Sequence, residues 1–232
     1  MVTIIFDVDD TLYDQLEPFK LAFKENFDFK DIPIEQVYIC SRHLSDKVFH
    51  LSENGKMSMT DMHIFRIQKA LEKFSLKISR EQAEKFQQDY QYFQEHIQLI
   101  PDVERSLNIC LENKIQLGII TNGPKEHQRK KIKQLNLKKW IPQKNIFISS
   151  EVGVAKPDKQ IFKIAEQSMK FDKNKVFYIG DSFQNDIVGA KKVGWKAVWS
   201  NRRNHKKPEN EITYDYLINN ESSLEEFVKS VI

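Results

Sequence analysis

The residues best suited to chemistry in this sequence are three aspartates that follow an apolar run near the N-terminus. Residues 4–6 are Ile-Ile-Phe, and Asp7, Asp9, Asp10 and Thr11 come directly after them. Asp is a poor strand former, and like charges this close repel one another, so folding alone does not explain the cluster. In an extended chain Asp7 and Asp9 project to the same side. Two such carboxylates could hold a hard cation or divide the roles of nucleophile and acid/base, although an acidic turn or a helix N-cap is the structural alternative.

A second and a third group of polar residues follow further along the chain. Thr121, Asn122 and Gly123 end another apolar run, where a hydroxyl and two backbone amides could donate to a phosphoryl oxygen. Lys156 lies just before a predicted helix. The N-terminal end of a helix dipole disfavours a cation, so a lysine there is useful only if an anion binds beside it. Taken singly, Thr121, Asn122 and Gly123 could form only a turn, and Lys156 could be only a solvated loop residue.

The fourth group supplies a second acidic pair after an apolar run. Gly180 permits a sharp turn, and Asp181 is the best candidate for a third contact to a metal. Asp186 could be a helix N-cap, could support the ligands of the metal, or both. Each group has a structural explanation by itself, but all four fall in order at strand ends of one predicted sheet. Their combination favours a functional site.

The elements that must position these groups change character along the chain. A short buried strand over 2–8 is followed by a helical pattern from about 16 to 96, and then by alternating helices and strands. The predicted helices are 102–113, 125–135, 157–169 and 185–193, and the predicted strands are 115–120, 146–149, 176–179 and 197–199. This order predicts an α/β fold with a Rossmann-like, doubly wound parallel sheet and an inserted all-α bundle. We expect a core domain over 1–15 plus 97–232 and a helical domain over 16–96.

Composition excludes several classes of protein. The chain has 232 residues, 40% of them hydrophobic and 30% charged, which is typical of a globular protein rather than a disordered one. Its net charge of +3 is spread along the sequence, so we expect no binding of nucleic acid. No apolar run approaches the roughly 18 residues that span a membrane. Cys40 and Cys110 lack metal-ligand or disulfide spacing, which fits a reducing compartment, and we expect a cytoplasmic monomer or homodimer.

Together, the four groups resemble the motifs of the haloacid dehalogenase superfamily of phosphohydrolases. Those motifs are an Asp-x-Asp-x-Thr after an apolar run, a Thr after a second run, a Lys, and a Gly-Asp-x4-Asp, matched here by residues 7–11, Thr121, Lys156 and residues 180–186. The long helical insertion resembles the helical cap of that superfamily, and the interval from Thr121 to Lys156 is too short for the other cap position. Residues 150–157 resemble the branch that contains pyrimidine 5′-nucleotidases.

This resemblance implies a role for the acidic residues. Asp7 would attack phosphorus and form an aspartyl-phosphate, and Asp9 would exchange protons with the leaving group and with water. Mg²⁺ would be held by Asp7, by the backbone carbonyl of Asp9 and by Asp181. Asp186 would support these ligands.

The resemblance also implies residues that bind the transferring phosphoryl group. Thr121 and Lys156 would stabilise its charge, and Asp10, Asn122 and Gly123 would contribute to phosphate binding. The substrate would be a small phosphate monoester, with a nucleoside 5′-monophosphate as the first choice and sugar phosphates and flavin mononucleotide after it.

Three other functions stay open at this point. A phosphomutase acting on sugar phosphates shares the same motifs, whereas a 2-haloacid dehalogenase would carry a non-acidic residue in place of Asp9. A catalytically inactive binding protein on the same scaffold is the third. Five further residues could face the substrate, although an exposed or capping position is favoured for each of them: Tyr13, Asp14, Arg42, His43 and Lys47. The basic segment 202–207 is predicted to be a solvated surface loop.

Overall fold

The computed structural model describes residues 1–53, 55–209 and 212–232. They form two compact units. The α/β unit consists of Met1–Asp14 and Gln98–Ile232, and the helical unit is Gln15–Ile97. No helix in the described part of the chain is both long enough and apolar enough to cross a bilayer.

The described residues of the helical unit form four helices: α1 (Leu16–Asn26), α2 (Ile34–Glu53), α3 (Met59–Glu72) and α4 (Arg80–Gln94). The side chain of Ser79 caps α4 in a capping box with Gln82, which satisfies two backbone amides at the start of the helix. Aromatic side chains make up much of the buried interior, and Phe19 contacts the ring of Phe86 at 5.1 Å between centroids. Three of the candidate contact residues lie exposed on α2: Arg42, His43 and Lys47.

The α/β unit is built on a single parallel sheet. In the described residues its strands are β1 (Thr3–Phe6), β2 (Gln116–Thr121), β3 (Ile146–Ile148), β4 (Val176–Gly180), β5 (Lys196–Ser200) and β6 (Tyr216–Ile218), in the order β3-β2-β1-β4-β5-β6. Its helices are α5 (Pro101–Glu112), α6 (Lys125–Gln134), α7 (Ser149–Val152), α8 (Lys159–Met169), α9 (Val188–Lys192) and α10 (Leu224–Ser230). The sequence-based prediction of a doubly wound parallel sheet is confirmed.

Helices cover both faces of this sheet, as the aromatic contacts of two adjacent residues in β4 show. Tyr178 packs edge-on against Phe162 of α8, while Phe177 packs against Phe227 of α10. Successive side chains of a strand point to opposite faces, so these two contacts lie on opposite sides of the sheet. The central strand β1 is fully buried, which explains why the three residues after Thr3 are all apolar.

The strand register brings the predicted site residues to one edge of the sheet. Phe6, the last residue of β1, is level with Ile119 of β2 and with Ile179 of β4. Asp7, Thr121 and Asp181 therefore lie at the carboxyl ends of three neighbouring strands. This is the edge at which ligands bind in open α/β sheets.

The structure corrects several predicted elements. The helix predicted over 157–169 begins only at Lys159, because the side chain of Asp158 accepts the amide of Gln160 and caps the helix. The helix predicted over 185–193 is one π-helical turn, Phe183–Ile187, followed by α9. Strand β6 and helix α10 were not predicted, since a three-residue strand is too short to show a periodic pattern.

Candidate active site

Three carboxylates form a compact cluster at the carboxyl edge of the sheet. Oxygen atoms of Asp7, Asp181 and Asp186 all lie within 4.8 Å of one another. Asp7 follows β1 and its amide donates to the carbonyl of Ile179 at 2.8 Å, which fixes it against β4. Asp181 follows the last residue of β4 directly. The predicted meeting of Asp7 and Asp181 is therefore present in the structure.

Lys156 neutralises part of this cluster from within. Its side chain is buried, and its ammonium donates to Asp7 Oδ1 at 2.8 Å, to Asp186 Oδ1 at 2.7 Å and to the Tyr178 hydroxyl at 2.8 Å. The side chain of Asn122 holds the backbone of Lys156 through two hydrogen bonds of 2.9 Å. Lys156 precedes α8 by three residues, close to the predicted position, and its ammonium contacts the carboxylates of Asp7 and Asp186.

Burial and mutual repulsion change the acidity of these groups. Burial raises the pKa of Asp7 to about 7; the Lys156 cation opposes this shift, and the neighbouring Asp186 and Asp9 add to it. Burial, together with Asp7 and Asp186, raises the pKa of Asp181 to about 9. Burial alone would lower the pKa of Lys156, but its two carboxylate partners hold it above its ordinary value. The site therefore favours additional positive charge.

Asp186 supports the cluster and is not a helix cap. Its carboxylate is fully buried and accepts from Lys156, from the Tyr178 hydroxyl at 3.2 Å and from the Ser182 amide at 2.9 Å. The residue that caps the following turn is Ser182, whose hydroxyl accepts the Asn185 amide. A Cβ at Gly180 would lie 2.3 Å from the Asp186 carboxyl carbon, so this position requires glycine.

Asp9 lies next to this cluster but turns its carboxylate toward α6. Its Oδ1 atom accepts from the Tyr13 hydroxyl and from the Lys131 ammonium, both at 2.5 Å, and its Oδ2 atom accepts from Gln128 Nε2 at 2.9 Å. Burial raises the pKa of Asp9, but Lys131 and the other donors outweigh it and bring the pKa below its ordinary value. Tyr13, expected to be exposed or capping, is buried in this contact.

Two hydroxyls of the predicted motifs have no hydrogen-bond partner among the described residues. The Oγ1 atoms of Thr121 and Thr11 are buried and form no hydrogen bond with any described residue. A buried hydroxyl without a partner is costly unless a ligand satisfies it. Thr121 ends β2 at the same edge as the carboxylates, so its hydroxyl is placed to donate to an anion bound there.

The structure gives the other predicted phosphate contacts different partners. The Gly123 amide, expected to donate to an anion, donates instead to the Ser149 hydroxyl at 2.9 Å. The Asp10 carboxylate pairs with Arg203 at 2.7 Å, and Arg203 also contacts Asp14 at 2.5 Å. The prediction that segment 202–207 is simply a solvated loop was wrong for Arg203, because these two carboxylates hold its guanidinium.

Sequence reasoning missed four residues that contact the predicted site. Tyr178 was hidden by its place in an apolar strand, and Gln128 and Lys131 by their place in a basic helix. Their spacing of three residues on α6, which puts both on one face, was the available signal. Arg203 is separated from Asp10 by 193 positions, so no local pattern could have joined them.

Comparison with known proteins places this arrangement in a family. The model of the haloacid dehalogenase-like hydrolases matches residues 1–194. The chain is 28% identical over 201 residues to the HAD-hydrolase YfnB of Bacillus subtilis, covering 86% of this chain and 83% of that protein. The crystal structure of YfnB bound to magnesium has a TM-score of 0.67 at 26% identity, covering 99% of this chain and 98% of that one.

Other relatives differ in their substrates. The chain is 27% identical to a glyceraldehyde 3-phosphate phosphatase of Methanocaldococcus jannaschii, covering 98% of this chain and 97% of that protein. It is 35% identical to the pyrimidine 5′-nucleotidase YjjG of Escherichia coli, but only over 45% of this chain and 46% of that protein. The L-2-haloacid dehalogenase of Xanthobacter autotrophicus shares the fold, with a TM-score of 0.65 at 13% identity over 100% of this chain and 98% of that one. With a family model that covers most of its length, this chain belongs to the haloacid dehalogenase-like hydrolases.

Proposed function

We propose that this hydrolase is a magnesium-dependent phosphatase that cleaves small phosphate monoesters through an aspartyl-phosphate on Asp7. The observation that carries the proposal is the buried cluster of Asp7, Asp181 and Asp186 with Lys156 inside it. Oδ1 of Asp7 accepts from Lys156, and Oδ2 accepts no hydrogen bond from the described residues. Asp7 therefore has an oxygen available for a metal or for phosphorus.

The residues present fit Mg²⁺. Carboxylate oxygens are the ligands that this cation prefers, and their raised pKa values show that the site favours positive charge. Asp7 and Asp181 would hold the cation together with the backbone carbonyl of Asp9. Asp186 is fully buried and accepts from Lys156, Tyr178 and Ser182, and we propose that it orients the site. When bound, the cation would neutralise negative charge on the phosphoryl oxygens.

In the proposed reaction a carboxylate oxygen of Asp7 forms a bond to phosphorus as the bond from phosphorus to the ester oxygen breaks. The departing oxygen takes a proton from the carboxyl group of Asp9. Water then attacks the phosphorus of the aspartyl-phosphate, gives its proton to Asp9 and releases Asp7 and inorganic phosphate. Lys156 and the Thr121 hydroxyl stabilise charge on the phosphoryl oxygens during both steps.

Dehalogenation and phosphoryl transfer to a second hydroxyl are the alternatives. A dehalogenase needs neither the acidic group of Asp9 nor a metal, so the acidic cluster favours phosphate chemistry. A phosphomutase would use the same residues and differs in its acceptor. We propose nucleoside 5′-monophosphates as the first substrates to test, supported by the partial similarity to a pyrimidine nucleotidase, and triose and hexose phosphates as the second.

A screen of phosphate monoesters tests the proposal. Purified protein should release inorganic phosphate with added Mg²⁺, release none in excess chelator, and gain no activity from Ca²⁺, whose looser coordination misplaces the phosphoryl group. Asp28→Asn, an exposed aspartate of the helical unit, is the matched control for Asp7→Asn. Equal activity in chelator would contradict the metal site.

If kcat/KM for every nucleotide were at least about tenfold below that for the best sugar phosphate, roughly 1.4 kcal/mol, the nucleotidase assignment would be withdrawn.

A further inference from the structure

The carboxylate of Asp9 is held by three donors that belong to none of the four predicted motifs. Tyr13 and Lys131 donate to Oδ1, and Gln128 donates to Oδ2. We propose that Lys131 and Gln128 are positioning residues, which orient the Asp9 carboxylate so that one defined lone pair faces the leaving group. This inference rests on the proposed phosphatase function, in which Asp9 transfers the proton.

The number of lone pairs on Asp9 supports this assignment. A carboxylate offers about four acceptor positions, two on each oxygen. Both positions on Oδ1 are taken by Tyr13 and Lys131, and one on Oδ2 is taken by Gln128. No other described residue donates to this carboxylate, so a single position on Oδ2 remains for a proton. The three donors therefore select which oxygen exchanges the proton, and from which side.

The way α6 presents the two residues also fits a positioning role. Gln128 and Lys131 lie three positions apart and so share one face of the helix. Gln128 is buried, and its amide also donates to the carbonyl of Asn122 at 2.8 Å, which ties it to the loop after β2. A Cβ at Gly123 would approach the Gln128 nitrogen to 2.7 Å, so this glycine makes room for the contact. This loop directly follows Thr121, the last residue of β2, so the contacts of Gln128 link Asp9 to the proposed phosphate site.

Neither helix stability nor solubility requires this arrangement. Lysines in the last turn of α6 interact favourably with the helix dipole from exposed positions, as Lys133 does. The Lys131 side chain is instead only 12% exposed, and its ammonium forms an ion pair with Asp9. A purely structural role for this ion pair predicts that losing it harms all substrates equally. A positioning role predicts that the loss depends on how much the leaving group needs a proton.

Two aryl phosphates that differ chiefly in the leaving group separate these roles. Phenolate has a conjugate-acid pKa near that of tyrosine, about 10, and gains from protonation as it leaves. The 4-nitrophenolate ion is a much weaker base and leaves without help. Because general acid catalysis contributes about 10²–10⁴-fold, we expect partial misplacement of Asp9 in Lys131→Met to lower kcat/KM about tenfold or more for phenyl phosphate. The loss for 4-nitrophenyl phosphate should stay below about threefold, since little of its rate depends on the acid.

The control variants are chosen from the same helix. Lys133→Met makes the same chemical change two residues away at an exposed position and should leave both rates unchanged. Lys131→Arg, which keeps a cationic donor, should recover most of the phenyl phosphate activity. Gln128→Leu removes the contact to Asp9 Oδ2 and should show the same selective loss. It replaces Lys131→Met if circular dichroism shows that Lys131→Met does not fold.

An equal loss on both phosphates, or no selective loss in either variant, would overturn the positioning assignment. If the unaltered protein hydrolysed neither phosphate with Mg²⁺ present, the proposed function itself would be contradicted. The two failures are therefore distinguishable in one experiment.

Discussion

Replacing Lys156 with methionine removes the cation inside the carboxylate cluster while keeping a side chain of similar length. The ammonium is buried and contacts Asp7 and Asp186 at 2.8 and 2.7 Å, so the variant leaves two buried carboxylates beside Asp181 without their counter-ion. Breaking a buried ion pair in this way costs about 3–5 kcal/mol. We expect a loss of this size in the free energy of unfolding of Lys156→Met, measured by urea denaturation in chelator near pH 8, together with loss of phosphatase activity.

The loss should depend on pH in a defined direction. The pKa of Asp7 is already raised to about 7, and without Lys156 it should rise further because the cation lowers it. An acid whose pKa is higher in the folded protein than in the unfolded chain contributes stability below its unfolded pKa, near 4, and loses it as the pH rises through the folded pKa. The variant should therefore approach the unaltered protein at about pH 5 and fall furthest behind above about pH 7.

Magnesium provides a second test of the Lys156→Met variant. If the loss in unfolding free energy comes from uncompensated negative charge, saturating Mg²⁺ should stabilise Lys156→Met more than it stabilises the unaltered protein. Each protein is compared with itself in chelator. The matched control is Lys133→Met, an exposed lysine of the same unit. A Lys156→Met protein within about 1 kcal/mol of the unaltered one near pH 8, or a deficit that does not shrink at lower pH, would refute this reasoning.

Three further predictions concern residues around the cluster. Asp181→Asn should raise the unfolding free energy in chelator near pH 8 by more than about 1 kcal/mol, since it removes a carboxylate whose pKa is raised by burial and by the neighbouring Asp7 and Asp186. The same variant should lose its stabilisation by Mg²⁺, and a destabilised variant would contradict this reasoning. Gly180→Ala should cost about 1–3 kcal/mol and lower activity, because its Cβ would overlap Asp186, and unchanged urea denaturation would argue against that packing. Arg203→Met should cost about 1–2 kcal/mol, less in high salt, because the two partners of this partly exposed guanidinium lose a counter-ion; an unchanged melting curve in low salt would contradict it.

The sequence allowed the main residues of the candidate site to be predicted for a specific physical reason. In a parallel sheet the residues that follow neighbouring strands must meet at one edge, so an Asp after β1 and another after β4 converge whatever the intervening chain does. The structure brings Asp7 and Asp181 together in this way, and adds Lys156 and Asp186. The apolar runs of β1, β2 and β4 also allowed these segments to be predicted as strands, because they are buried on both faces of the sheet.

What could not be predicted depends on tertiary geometry rather than local pattern. The Tyr178 hydroxyl contacts Lys156 across 22 positions, and nothing in an apolar strand indicates that its one polar atom faces a charged cluster. The pairing of Lys131 with Asp9 spans 122 positions, and a lysine in a lysine-rich helix gives no sign of its partner. For Gly123, the sequence suggested an amide facing an anion, whereas the side chain of Ser149 competes for that amide.

The central claim, that Asp7 is the nucleophile of a phosphatase, is tested most directly by trapping the intermediate. Protein quenched in acid during turnover of the best substrate from the screen should carry one phosphoryl group on the proteolytic peptide that contains Asp7. Asp7→Asn should fold, carry no phosphoryl group and release no phosphate above background. A phosphoryl group on another residue, or an Asp7→Asn protein that retains more than a few per cent of the activity, would contradict the account.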